Sequence, residues 1–143
     1  AVMMELAQQI VRDGEGAQKF ITIHVSGAQS EQDAHQLALD IAESPLVKTA
    51  IAGEDANWGR IVMAVGKSGI AVDKEAINIA FGDYIIARGG AAIPGFNEAL
   101  VAEYMRQAEI DITVEVGSGP FEAKVWTCDL THGYIDINAD YRS

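Results

Sequence analysis

The sequence predicts an α+β domain with a mostly antiparallel or mixed sheet and helices packed on one face. Three observations carry this. Ala34, Leu37, Ala38, Ile41 and Ala42 recur at the spacing of one helix face. Ile110, Ile112, Val114 and Val116 alternate with Asp111, Thr113 and Glu115, the pattern of a half-buried strand. Helix and hairpin patterns are mixed along the chain, so a doubly wound parallel sheet is the less favoured alternative.

The elements follow in order. Met3, Leu6, Ala7, Ile10 and Val11 mark an amphipathic helix over residues 1–12. It has no capping residue ahead of it, and its apolar stripe asks for a partner. The expectation is a chain that starts inside a longer polypeptide. Asp13-Gly14-Glu15-Gly16 ends that helix, and Gln18 to Val25 reads as a strand. Ser30 caps the next helix, with Asp33 near its positive end, and the helix stops before Pro45. Val47 to Ala52 is a candidate short strand. Gly53 to Asn57 is a polar loop, and Asn57 caps a helix from Trp58 to Lys67. Ile77, Ile79 and Phe81 form a strand that pairs with Tyr84 to Arg88 across Gly82-Asp83. Gly89 to Gly95 is a loop. Leu100, Val101, Tyr104 and Met105 mark a third long helix. Gly117-Ser118-Gly119-Pro120 turns the chain, which makes Phe121 to Cys128 the hairpin partner of the preceding strand. A last strand runs from Tyr134 to Tyr141.

Composition excludes several classes. The 143 residues suit one domain spanning 1–143, and 49% hydrophobic with 22% charged residues is a globular balance. No apolar run approaches the ~18 residues of a membrane span. A formal net charge of -11 disfavours nucleic acid and anionic membrane partners. The lone Cys128 makes neither an internal disulfide nor a zinc site by itself, which fits a reducing cytoplasm.

Few residues point to chemistry on pattern alone. Gly66-Lys67-Ser68 lacks the glycine a phosphate loop needs, since Ile61 stands there, and the segment reads as a helix end. Cys128 and His132 are the residue types of a nucleophile and base, but Cys128 continues a strand pattern and suits a small buried group better. His24 and His35 have no metal-like spacing, so no metal site is expected. Glu15 lies between two glycines, where a ligand could come close. It reads either as a solvated helix end or as a carboxylate for an ammonium group. Glu54, Asp55, Asn57 and Arg60 read as a capping loop with an Arg–carboxylate pair. Asp136, Asn138 and Asp140 form a polar strand face.

Four stretches are unusual enough to carry a resemblance. They are Leu6 to Ala17, containing Arg-Asp-Gly-Glu-Gly; Ser44-Pro45-Leu46-Val47-Lys48-Thr49-Ala50; Gly53-Glu54-Asp55-Ala56-Asn57-Trp58-Gly59-Arg60-Ile61; and Trp126-Thr127-Cys128-Asp129-Leu130-Thr131-His132. With the ending Asn138-Ala139-Asp140-Tyr141-Arg142-Ser143, they resemble the ornithine acetyltransferase (glutamate N-acetyltransferase) family, in order from Leu6 to Ser143. The resemblance implies a fragment of a larger N-terminal-nucleophile-type acetyltransferase. Such enzymes cut themselves before a threonine, which becomes the nucleophile of the β chain. It moves acetyl from N-acetylornithine to glutamate by a ping-pong route in arginine biosynthesis, and some members also use acetyl-CoA.

The resemblance places these residues in the C-terminal portion of the β chain. Every threonine here is internal, so no catalytic residue lies in this chain and the fragment alone is expected to be inactive. Glu15, Asn138 and Ser143 match substrate-binding positions of the family. No cofactor is implied. The implied partners are the α chain and the rest of the β chain, in a hetero-tetramer of two α and two β chains. Ala56 departs from the family's usual proline, which bears on the rigidity of that loop. The competing reading is an amino-acid-binding or assembly module without catalysis of its own.

Overall fold

The computed structural model describes residues 19–129. The helix expected over residues 1–12 and the strand expected over 134–141 lie outside the described residues. In chain order the elements are β1 (Phe20–Ala28), α1 (Glu31–Glu43), α2 (Pro45–Ala52), α3 (Trp58–Lys67), a 3-10 turn (Lys74–Ala76), β2 (Asn78–Phe81), β3 (Tyr84–Arg88), β4 (Ala91–Ala92), α4 (Glu98–Met105), β5 (Glu109–Glu115) and β6 (Phe121–Cys128). The strands form one six-stranded sheet in the order β4-β3-β2-β5-β1-β6. β1 and β5 are parallel, and every other neighbouring pair is antiparallel. This is the mixed α+β sheet that the alternation and helical spacing predict.

The sheet's period of two separates its faces. Ile21, Ile23 and Val25 of β1 share a face with Ile110, Ile112 and Val114 of β5, and all six are fully buried. Leu37 and Ile41 of α1 pack on that row, and Ile51 of α2 and Ile61 of α3 join the same cluster. Burying each Ile side chain contributes roughly 1.5–3 kcal/mol. On the other face Thr22, His24 and Thr113 are half-buried, and Asp111 and Lys124 are exposed.

Ser30 Oγ accepts the Asp33 N–H at 3.0 Å, and Asn57 Oδ1 accepts the Arg60 N–H at 3.1 Å, so both expected caps are present. The 82–83 turn joins β2 to β3 as expected. The 89–95 segment contains the two-residue strand β4 rather than loop alone, and α4 is eight residues rather than a long helix.

Two further expectations are corrected. Val47 to Ala52 is helical, not a strand. Ser44 Oγ accepts the Val47 N–H at 3.3 Å, Pro45 occupies the first turn, and the buried Val47, Ala50 and Ile51 fall on one helix face. Phe121 to Cys128 is not the hairpin partner of β5. β1 lies between them, and β6 pairs with β1 from Phe20↔Cys128 to Ala28↔Phe121. The glycine-rich segment crosses the end of β1 instead, where Val116 N–H donates to Ser26 O at 2.9 Å and Gly119 N–H to Gly27 O at 3.0 Å. Gly27 has φ +80, and a Cβ there would collide with the backbone of Gly117. The glycines serve a close backbone crossing, a need that overlaps with the chemistry of a tight turn.

Candidate functional site

The first residue of β1 pairs with the last residue of β6, as Phe20↔Cys128. The chain therefore enters and leaves the described body at one point. The residues just outside that rung, Lys19 and Asp129, extend it. Lys19 N–H donates to Asp129 Oδ1 at 2.9 Å, and Asp129 N–H donates to Lys19 O at 3.2 Å. Asp129 is 1% exposed and Lys19 is 8% exposed. Charges this deep are costly unless each is hydrogen-bonded or paired. The Lys19 ammonium donates to Gln107 O at 2.8 Å and lies 3.5 Å from Glu54 Oε2.

Glu54 belongs to the loop between α2 and α3. Gly53 N–H donates to Thr49 O at 3.0 Å and Glu54 N–H to Ile51 O at 2.9 Å, which ends α2. Glu54 has φ 60, the left-handed region. Asn57 Nδ2 donates to Asp55 Oδ2 at 3.1 Å while Asn57 Oδ1 caps α3. Arg60 Nη1 donates to Leu46 O at 2.8 Å. The expected Arg–carboxylate pair is thus replaced by an arginine on a backbone carbonyl and a lysine on Glu54. Sequence reasoning missed Lys19, because nothing near it in sequence marks a partner.

Three of the unusual stretches meet here. Arg60 ties the 53–61 stretch to Leu46 in the 44–50 stretch. Lys19 ties Glu54 to Asp129 of the 126–132 stretch. Glu15 lies four residues ahead of Lys19, and four residues reach at most about 14 Å. Glu15, Asn138, Ser143 and His132 lie outside the described residues. A cleft of about 410 Å³ opens at the opposite end of β1, beside Ala28, Asp33, Asp73 and Glu115. Among the described residues, none from the unusual stretches lines it, and Glu115 already accepts from Asn78 Nδ2 at 2.7 Å. The Lys19 end is therefore the candidate site.

The other sequence candidates take ordinary roles. Cys128 ends β6 half-buried, and its thiol is pushed above the usual range by burial, then by the neighbouring Asp129, with Lys48 opposing. A raised thiol is a poor nucleophile. Lys67 closes α3 at its C-terminus, opposite to where a phosphate loop needs it. His35 is exposed, and His24 Nε2 lies 3.5 Å from Glu122 Oε2. Among the described residues no three His, Cys, Asp or Glu side chains cluster as metal ligands, and no helix is long and apolar enough to cross a membrane.

Known proteins are similar in sequence and in arrangement. The ArgJ family model matches residues 1–143. A relative from Zymomonas mobilis, named arginine biosynthesis bifunctional protein ArgJ, is 58% identical over 143 residues, which is 100% of this chain and 35% of the relative. A relative of the same name from Ruegeria pomeroyi is also 58% identical over the same shares. The chain thus spans about a third of the length of these curated relatives. The crystal structure of the protein of that name from Bacillus halodurans superposes with a TM-score of 0.90 at 46% identity, covering 96% of this chain and 64% of that one. With the matched residues running the whole chain and the sheet preserved in a solved relative, the chain belongs to the ArgJ family.

Proposed function

We infer that these residues are the C-terminal part of the β chain of an ornithine acetyltransferase, supplying substrate-binding groups to a site completed by the rest of its precursor. Family membership supports an enzyme of arginine biosynthesis, and the 35% share of the relatives' length supports a part rather than a whole. The observation that carries the reading is the junction at Lys19 and Asp129. The segment bearing Glu15 enters there, and the segment bearing Asn138 and Ser143 leaves there.

The proposed chemistry is a two-step acyl transfer. The hydroxyl of an N-terminal threonine, supplied by sequence outside these residues, attacks the acetyl carbonyl of N-acetylornithine. Its own α-amine takes the proton, and donors on the α chain stabilise the oxyanion. Ornithine leaves, glutamate enters, and its amine takes the acetyl group from the threonine oxygen. The carboxylate of Glu15 pairs with a substrate ammonium. Asn138 and Ser143 hydrogen-bond its α-carboxylate. Acetyl-CoA as a second donor, an assembly of two α and two β chains, and work in the cytoplasm belong to the same proposal.

Glu15→Gln in the full-length, self-cleaved enzyme tests it. Glutamine keeps the volume and removes the charge. Folding and cleavage are expected to persist, while kcat/KM for transfer from N-acetylornithine to glutamate falls by about 2–4 kcal/mol in activation free energy. Wild-type kinetics in this variant would return Glu15 to a solvated helix end.

A further inference from the structure

We propose that the sheet face away from the helices holds a pocket for a free α-amino acid with an apolar side chain. Arg88 binds its carboxylate and Glu115 binds its ammonium group. The proposal rests on the surface of β2, β3 and β5 and stands whether or not the acetyltransferase reading does.

Strand register brings the residues together. Asn78 pairs with Glu115 of β5, and Ala80 pairs with Thr113 of β5 and with Ile85 of β3. Ala87 pairs with Ile79, so Arg88 comes beside Asn78, and Gly89 N–H donates to Asn78 Oδ1 at 3.0 Å. Two rows therefore cross three strands. One runs Glu115, Asn78, Arg88, with a charge at each end. The other runs Thr113, Ala80, Ile85. These six residues line one cavity of about 350 Å³, a volume within the range of small-molecule sites. Ala80 gives the cavity its depth, because its short side chain stands in the row between Thr113 and Ile85.

The charges point to the ligand. Two strand spacings set the backbones of Glu115 and Arg88 about 10 Å apart. Both line the cavity, yet among the described residues no ion pair joins them or ties either to another group. Asn78 stands between them, and its Nδ2 donates to Glu115 Oε1 at 2.7 Å. A neutral amide takes one carboxylate oxygen and leaves the charge unanswered. An α-amino acid carries an ammonium and a carboxylate on one carbon and answers both ends of the row. The guanidinium fork suits the carboxylate, and the Glu115 carboxylate suits the ammonium. Among the described residues Arg88 and Glu115 are the only charged groups lining the cavity, so the zwitterion uses both and the side chain is neutral. That side chain would lie over Ala80 and against Ile85, which is 45% exposed without it.

The test is isothermal titration calorimetry of the full-length protein with L-valine. Both charges are exposed and screened by water, so one site per copy with a Kd of roughly 1 mM is expected. L-Valinamide lacks the carboxylate and N-acetyl-L-valine lacks the ammonium, and each is expected to bind about tenfold more weakly or less. Arg88→Gln and Glu115→Gln are each expected to weaken L-valine about tenfold, and glutamine at 115 keeps an acceptor for Asn78. Ala80→Leu fills the cavity and is expected to abolish binding. None of the three changes touches a fully buried residue, so melting midpoints are expected to stay within about 2 °C of wild type. If Glu115→Gln fails to fold, Arg88→Gln and Ala80→Leu decide the matter. No binding of L-valine to the wild-type protein up to about 10 mM overturns the proposal, and this is also the result if another part of the full-length chain fills the cavity. A Kd within twofold of wild type in Arg88→Gln and Ala80→Leu overturns it as well, since the valine then sits elsewhere. So does L-valinamide or N-acetyl-L-valine binding as tightly as L-valine. Acetyl transfer is measured separately on the wild-type protein, and its presence or absence leaves these outcomes unchanged.

Discussion

Cys128 shows how one rung of a sheet decides a residue's chemistry. It shares the final β1–β6 rung with Phe20, and burial with the adjacent Asp129 raises its thiol, partly opposed by Lys48. A raised pKa means less thiolate at any given pH, so alkylation should be slow. At pH 8.5 iodoacetamide is expected to modify Cys128 in the folded protein several-fold more slowly than in the urea-unfolded chain. Equal rates would contradict the burial. The place of Cys128 in a strand was legible in the pattern alone. Lys19 was not, because its partners lie 110 and 88 residues away and no local spacing encodes them. Glu15, Asn138 and Ser143 stood out only through resemblance, since a carboxylate between glycines and a polar strand face have ordinary solvated explanations.

At the scale of elements, Ser44 serves two helices. Its N–H donates to Ile41 O at 3.2 Å to close α1, and its Oγ accepts the Val47 N–H at 3.3 Å to open α2. Ser44→Ala removes only the second of these. It is expected to cost about 1 kcal/mol locally, and amides of α2 are expected to exchange with deuterium about fivefold faster. Unchanged exchange over residues 45–52 would show that packing alone holds α2. The Ser-Pro pair read as a stop and hid the start that follows it. An eight-residue apolar stretch also fits either period, so its helix and a buried strand look alike in sequence. By contrast Ser30 and Asn57 preceded clear periodic runs, and their caps were readable.

At the scale of the molecule, the acetyltransferase reading makes a simple demand. The purified 143-residue chain, free of longer forms, is expected to show no transfer from N-acetylornithine to glutamate, because every threonine in it is internal. Measurable turnover would require a nucleophile of another kind. The fold class was legible because apolar residues keep one parity along β1 and β5. The strand order was not, because a glycine-rich segment between two strand patterns looks the same whether it reverses the chain or crosses a strand. That crossing has a price during synthesis. β1 is made first, yet its neighbours begin at Glu109 and Phe121. At about 5–20 residues per second, β1 waits roughly 5–20 s on the ribosome for its second flank. Until β5 is made, Phe20, Ile21, Ile23 and Val25 form a β-prone apolar stretch with both edges open, which is where a chaperone would be expected to hold the nascent chain.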